Sequence, residues 1–318
     1  MMKRNLNRLA AGILLLILLS VPAEAALLLV PVGRILGLEL RNNTVTVVSF
    51  DEPSPAKAAG VREGDRLLCI DRRSIKTAQD VRTALDESQG TVTLTLQRGD
   101  QLSTVKVAPT ITAQGPKLGI YLRQGITGIG TVTYYDPATG TFGALGHGVN
   151  HAGGELLQLT EGLAYPAAVT HVRKGTPGNP GQLMGTLTAR QPLATLTRNT
   201  AQGIFGKTAV PYSGQSLPIG QPVVGRATIL STVAGEEPAQ YTVEILKIYS
   251  ASRQSGRNML LRVTDPALLE ATGGIVQGMS GSPIIQDGKL VGAVTHVLVN
   301  DPTTGYGIFI ENMLDAAA

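Results

Sequence analysis

The sequence predicts a mainly β protein with α+β character in two units, the second built as a pair of small β-barrels. Three observations point there. Among 318 residues there are 38 Gly, 18 Pro and no Trp, with many Thr and Val, a composition that favours strands and turns over long helices. Short alternating apolar stretches recur along the chain, bounded by turn residues. Two similar Asp-Pro-x-Thr-Gly turns, at Asp136–Gly140 and Asp301–Gly305, hint at two related β-halves. At 43% hydrophobic, a chain of this length can bury two cores.

Residues 1–25 have the form of an export segment, a signal peptide or a membrane anchor. Lys3, Arg4 and Arg8 precede the apolar run Leu9–Val21, then come Pro22 and the small-x-small triplet Ala23-Glu24-Ala25. The run is short for a membrane span, but Ala26–Val32 is apolar again, which keeps an uncleaved anchor open. Both readings place the rest of the chain outside the cytoplasm. The leader also carries much of the basic charge: without Lys3, Arg4, Arg8 and Glu24 the net +4 falls to +2, and no basic block suggests nucleic acid as a partner. The single cysteine, Cys69, excludes an intramolecular disulfide and any multi-cysteine metal site; in Leu67-Leu68-Cys69-Ile70 it reads as a buried hydrophobe.

The first unit is expected over 31–110. Gly33–Leu40 and Thr44–Val48 alternate as two short strands, with Asn42-Asn43 as the turn between them. Ser54–Leu67 holds a small-residue helical turn ended by Gly60, then Gly64-Asp65 before an apolar strand. In Thr77–Ser88, Ala78, Val81, Ala84 and Leu85 fall at helical spacing behind a Thr77/Asp80 pair that resembles a capping box; Thr91–Leu96 is the next strand. The Ser54–Leu67 string is similar to PDZ domains of the bacterial protease-associated type. That resemblance implies a groove between the helix and a strand near Leu36, Gly37 and Leu38, where a peptide or the protein's own chain would add as an extra strand.

The second unit, 115–318, carries the chemistry. Thr131–Tyr135 and Thr141–Leu145 form a hairpin across Asp136–Gly140 that delivers Gly146-His147-Gly148. Gly278-Met-Ser-Gly-Ser-Pro283 puts Ser280 on a tight turn where backbone amides can converge. The hexapeptide resembles Gly-Asp-Ser-Gly-Gly-Pro of chymotrypsin-like peptidases, departing at Met279 and Ser282. It makes Ser280 the candidate nucleophile and the amides of Gly278 and Ser280 the candidate oxyanion donors. Of the four histidines, His147 is the best general base, because its glycine neighbours leave the ring and an approaching substrate unobstructed. His147 and His151 are four apart, but the surrounding glycines argue against a helix, so no metal site is expected. His296 belongs to the strand after the nucleophile turn. For the acid, Asp265 competes with Asp136 and Asp301, and Asp265 before Pro266 also reads as a helix N-cap.

Four segments together resemble the stage IV sporulation protein B peptidases: Gly143–Gly148, Val263–Pro266, Gly274–Ile285, and Gly292–Val297 with Asn300-Asp301-Pro302. The resemblance covers nearly the whole chain. It implies a chymotrypsin-like double β-barrel after a PDZ domain, with His147 as base, Asp265 as orienting acid and Ser280 as nucleophile. Asp265 stands only 15 residues before Ser280, a much shorter gap than in ordinary chymotrypsin-like enzymes. It further implies an exported serine endopeptidase without cofactor, acting between forespore and mother cell. There it would cleave itself and a protein regulator of a membrane-embedded protease, and so activate a late sigma factor. Two other readings fit the same residues: a general envelope quality-control PDZ-protease, and a PDZ scaffold with an inactive peptidase domain, which the presence of Ser280 and His147 counts against.

Overall fold

The computed structural model describes residues 27–151, 154–250 and 256–318; the leader expected over 1–25 lies outside them. Among the described residues no helix is long and apolar enough to cross a membrane.

The chain begins with β1 (Leu28–Pro31) and β2 (Ile35–Phe50). The first unit continues through α1 (Pro55–Ala58), β3 (Arg66–Ile70), β4 (Arg73–Ser74), α2 (Ala78–Asp86), β5 (Val92–Arg98), β6 (Gln101–Val107) and the hairpin β7 (Thr110–Thr112) and β8 (Gly115–Lys117). Its local signals act as the sequence implies. Ser54 Oγ caps α1 by accepting from Lys57 N, and Gly60 leaves the turn at φ +97°. Thr77 and Asp80 form a reciprocal capping box on α2, which buries Val81, Ala84 and Leu85. The Gly64-Asp65 step has a purpose as well, since fully buried Asp65 accepts both arms of the Arg98 guanidinium at 2.7 Å. Cys69 is half-buried, more open than its apolar neighbours suggest.

The strand β9 (Ile120–Asp136) then crosses from the first unit into the second, followed by β10 (Thr141–Ala144), β11 (Glu161–Arg173), β12 (Gln182–Leu187), β13 (Ala194–Thr200), β14 (Gly203–Thr208) and β15 (Leu217–Pro218). The run β9-β10-β14-β13-β11-β2 is closed by a further β9–β2 pairing, which makes a six-stranded ring. The strands β16 (Gly225–Ser231), β17 (Ala239–Ile248), β18 (Met259–Val263), β19 (Pro283–Gln286), β20 (Lys289–Leu298) and β21 (Asp301–Phe309) close a second barrel. Two helices accompany it: α3 (Pro266–Thr272) precedes the nucleophile turn, and α4 (Ile310–Ala317) ends the chain. Each barrel has its own apolar core, around Phe142 and Leu196 in the first and Met259 and Ile284 in the second.

Two expectations change here. Asn42-Asn43 is not a turn, because β2 runs straight through it, with a register shift opposite β9 between Leu40 and Val45. Asn42 is 3% exposed, its carbonyl accepts from Gln124 Nε2, and its side chain meets His151 Nε2 at 3.1 Å. Asn42 is thus bound inside a bulged strand, while Asn43 stays exposed. The continuity of β2 and β9 also joins the two units. Ile35–Leu40 belongs to the first barrel, Val45–Phe50 to the first unit, and Ile120–Gln124 completes that unit's sheet beyond residue 110.

Candidate active site

The nucleophile turn is assembled across both barrels. Buried Thr131 and Thr133 on β9 reach over: Thr131 N donates to Ser280 O at 3.1 Å, Thr131 Oγ1 to Gly278 O at 2.7 Å and Thr133 Oγ1 to Gly281 O at 2.8 Å. From the other side Gly281 N donates to Val294 O at 2.7 Å. Gly278 and Gly281 sit at φ +100° and +98°, a region that only glycine enters cheaply.

Those anchors leave two amides over. Met279 N donates to Val276 O and Ser282 N to Met279 O, whereas the amides of Gly278 and Ser280 have no protein acceptor among the described residues. A trans peptide points its C=O and N–H in opposite directions. Gln277 O is held by Leu183 N (2.8 Å) and Met279 O by Ser282 N (3.0 Å), so the next N–H groups, those of Gly278 and Ser280, are aimed away from the protein's own acceptors. Such a pair of preorganised donors can stabilise an oxyanion.

His147 arrives from the β9–β10 hairpin through a left-handed step at Leu145 (φ +70°) and Gly146 (φ +68°). A left-handed leucine is uncommon, and it turns the chain sharply after β10. His147, Gly278 and Ser280 line one cavity of about 220 Å³. His147 Nδ1 lies 2.9 Å from Gly148 O; a carbonyl can only accept, so Nδ1 carries the proton and the Nε2 lone pair is free to act as a base. Burial lowers the His147 pKa below the usual histidine value, with the Gly148 contact partly opposing it, and this keeps the ring neutral near pH 7. Ser280 Oγ donates to Thr295 O at 2.8 Å, and to act as a nucleophile it would have to turn from that carbonyl towards His147.

A model of the SpoIVB peptidase S55 family matches residues 114–314. The chain belongs to the SpoIVB peptidase S55 family. It is therefore a serine peptidase, and a PDZ-domain model matches residues 35–108. Among curated proteins, a putative zinc metalloprotease of Agrobacterium fabrum is 36% identical over 97 residues, 30% of this chain and 25% of the relative; the match spans about a quarter of that protein's length. Two solved structures are similar. The PDZ domain of an SdrC-like protein from Listeria monocytogenes has 27% identity and TM-score 0.23, covering 25% of this chain and 87% of its own. The inactive form of the Rv3671c protease has 13% identity and TM-score 0.35, covering 60% of this chain and 82% of its own.

In this S55 peptidase Asp265 is not brought to His147. Its carboxylate is fully engaged at the N-terminus of α3, where it accepts from Ala267 N (3.0 Å), Leu268 N (3.1 Å) and Thr242 N (3.1 Å). The residue at the other end of β18, Gly256, is the one beside Gly146. At about 3.3 Å per residue, the strand between them holds Asp265 far from the histidine turn. Asp136 and Asp301 are likewise used locally, bonding Thr139 and Thr303 in their own turns. The acceptor at His147 Nδ1 is the Gly148 carbonyl instead. We expect Asp265→Ala to cost roughly 0.5–2 kcal/mol through the lost cap, and Asp265→Asn to keep the cap but lose the bond from Thr242 N, which its NH2 cannot accept. Both should keep the kcat per folded molecule, measured by active-site titration; a thousandfold loss in Asp265→Asn would restore the carboxylate to the catalytic set.

Ser282, the second hydroxyl of the hexapeptide, is fully buried and donates to Ser231 Oγ at 3.0 Å. The neighbour that sequence reasoning placed only loosely is His296, whose ring centroid is 5.4 Å from that of His147. Burial, then the nearby His147 and Arg257, push its pKa down to about 4. His151 faces Asn42 rather than His147, and the described residues contain no cluster of three metal-ligating side chains.

The PDZ groove also moves. Leu36, Gly37 and Leu38 are paired on both edges, with Pro166, Tyr165 and Ala164 of β11 and with Gly130, Ile129 and Gly128 of β9, so no peptide can add there. The half-paired strand is the start of β9. Ile120, Tyr121 and Leu122 pair only with β2, and they face α2 across a cavity of about 650 Å³ lined by Ala78, Val81 and Leu85. Gly119, at φ +70° with no room for a Cβ beside Ser54 Cα (2.9 Å), forms the bend that opens this strand.

Proposed function

We propose that the chain is an exported serine endopeptidase that cleaves itself and a regulatory protein in the space between two membranes during sporulation. That cut would activate a membrane-embedded protease and hence a late sigma factor. His147 Nε2 takes the proton of Ser280 as its oxygen attacks the scissile carbonyl, and the amides of Gly278 and Ser280 hold the oxyanion. The imidazolium then protonates the leaving amine, and water releases the acyl enzyme by the same route. The Gly148 carbonyl keeps the His147 tautomer in the role a carboxylate has in other triads. A peptide or the protein's own chain enters between β9 and α2, adding to the sheet at Ile120–Leu122.

One observation carries the reading: two unclaimed amides flank a serine in the cavity that also holds a neutral histidine. Membership of the S55 family supports the sporulation role. The experiment is to incubate the full chain, wild type and Ser280→Ala, with a folded protein and with the same protein denatured, and to sequence the new N-termini. A signalling enzyme yields one or two sites in its own chain and few elsewhere, all lost in Ser280→Ala. Many scattered cuts confined to the denatured protein would instead mark a quality-control protease.

A further inference from the structure

Strand β9 has three glycines, and two have reasons within the fold. A Cβ on Gly125 would sit 2.0 Å from Leu40 O, and one on Gly130 would sit 2.1 Å from Leu145 Cδ2. Gly128 differs. It is exposed, its φ lies outside the left-handed region, and nothing stands within 4 Å of the position a Cβ would take. A glycine inside a strand weakens it, and without an internal cause it marks a place where a ligand comes close. Gly128 lies on the rim of the cavity that holds His147, Gly278 and Ser280. Side chains alternate along a strand, so Ile126, Gly128 and Gly130 share a face; Leu38 and Leu145, which crowd Gly130, line the same cavity.

Apart from Gln277, the rest of the lining is apolar: Leu38, Leu40, Ile126, Ile129, Leu145 and Val149. Among the described residues His147 is its only titratable side chain, and burial lowers its pKa, which disfavours the charged ring. A charged substrate side chain would lose its hydration there and meet no counter-charge, which is strongly unfavourable. The cavity measures about 220 Å³, and an apolar protein cavity of about 150 Å³ takes up a benzene molecule. From this geometry we infer that the cavity is the specificity pocket of the peptidase: it takes an apolar side chain, from Val to Phe in size, next to the scissile bond, and Gly128 keeps its mouth open. The inference rests on Ser280 being the nucleophile.

The test uses the full chain and a series of peptides that vary only at the two positions flanking the cut, with Ala, Val, Leu, Phe, Lys or Asp. In the wild type, Leu should exceed Ala in kcat/KM by at least tenfold, since one methylene alone is worth roughly 10–200-fold in an apolar pocket and Leu is larger than Ala by more than that. Lys and Asp should be the poorest. Gly128→Ala and Gly128→Val narrow the mouth in two steps, and the Leu-to-Ala ratio should fall in that order, by tenfold or more in Gly128→Val. Labelling of each variant with a fluorophosphonate reports separately that the nucleophile is assembled; if Gly128→Val does not label, the ratio in Gly128→Ala decides. A labelled wild type that prefers Lys or Asp, or glycine variants whose ratio stays at the wild-type value, would overturn the pocket while leaving the serine-peptidase reading intact. Absence of labelling at Ser280 in the wild type would overturn the mechanism beneath both.

Discussion

Ser280→Ala and His147→Ala should each abolish fluorophosphonate labelling and lower kcat by at least ~10⁴-fold, about 5.5 kcal/mol of transition-state stabilisation. Among the described residues Ser280 carries the only hydroxyl that lines the cavity, and His147 the only side-chain base there. Ser282→Ala should label like the wild type, because its hydroxyl is buried against Ser231 Oγ. Its effect is on stability, roughly 1–3 kcal/mol for leaving a buried hydroxyl unpaired. The pH profile adds a second reading. Activity needs neutral His147, and burial lowers its pKa, so kcat/KM should be lost only as pH falls below the ordinary histidine range. The His296 pKa is pushed down to about 4, so that ring is neutral near pH 7 as well. Equal labelling of Ser280→Ala and wild type would remove Ser280 from the mechanism. An acid limb above the ordinary histidine value would rule out His147, with Nδ1 held by Gly148 O and its pKa lowered by burial, as the base.

Local chemistry was legible in the sequence and long-range pairing was not. Thr77 with Asp80, Ser54 before Pro55, and Asp265 before Pro266 each cap a helix as their side chains require, because a cap is satisfied within three residues. That His147 and Ser280 come together was legible for a related reason: each stands on a turn marked by glycines, and both turns end in the same cavity. Three readings failed where two distant segments had to be compared. Leu36-Gly37-Leu38 and Leu118-Gly119-Ile120 are nearly the same triplet, and only the β11 partner, over a hundred residues away, shows that the first is a central strand and the second a groove. Asn42-Asn43 carries a turn composition, but β2 runs through it, with Asn42 bonded there to Gln124 and His151. For Asp265 the two readings were mutually exclusive, since a carboxylate held by three backbone amides cannot also orient a histidine at the far end of β18. What favoured the cap was visible in Pro266; what excluded the acid was the length of a strand.

The second large effect is expected at Gly281, the residue after the nucleophile. A Cβ there would lie 2.0 Å from Thr131 O and 2.6 Å from Leu145 N, both backbone atoms that cannot swing aside. Those two atoms are themselves bonded, Leu145 N to Thr131 O at 3.1 Å, and this is the step that delivers His147. One methyl group therefore presses the serine turn and the histidine turn apart together. The backbone adds its own strain, because φ at Gly281 is +98°. Gly288 is the natural control: it too has a positive φ, +72°, but nothing stands within 4 Å of its Cβ position. Gly288→Ala should cost only the left-handed conformation, roughly 1–2 kcal/mol in chemical denaturation, and leave kcat/KM unchanged. Gly281→Ala should cost about 2–4 kcal/mol, because the clash adds to that strain. It should also lower kcat/KM at least ~10²-fold, since displacements of about 1 Å at reacting groups have effects of that size. If Gly281→Ala matched Gly288→Ala in both measurements, the two turns would not be held as one unit through Thr131. A loss of stability with full activity would show that the serine and the histidine tolerate separation, and that β9 does not fix them across the barrels.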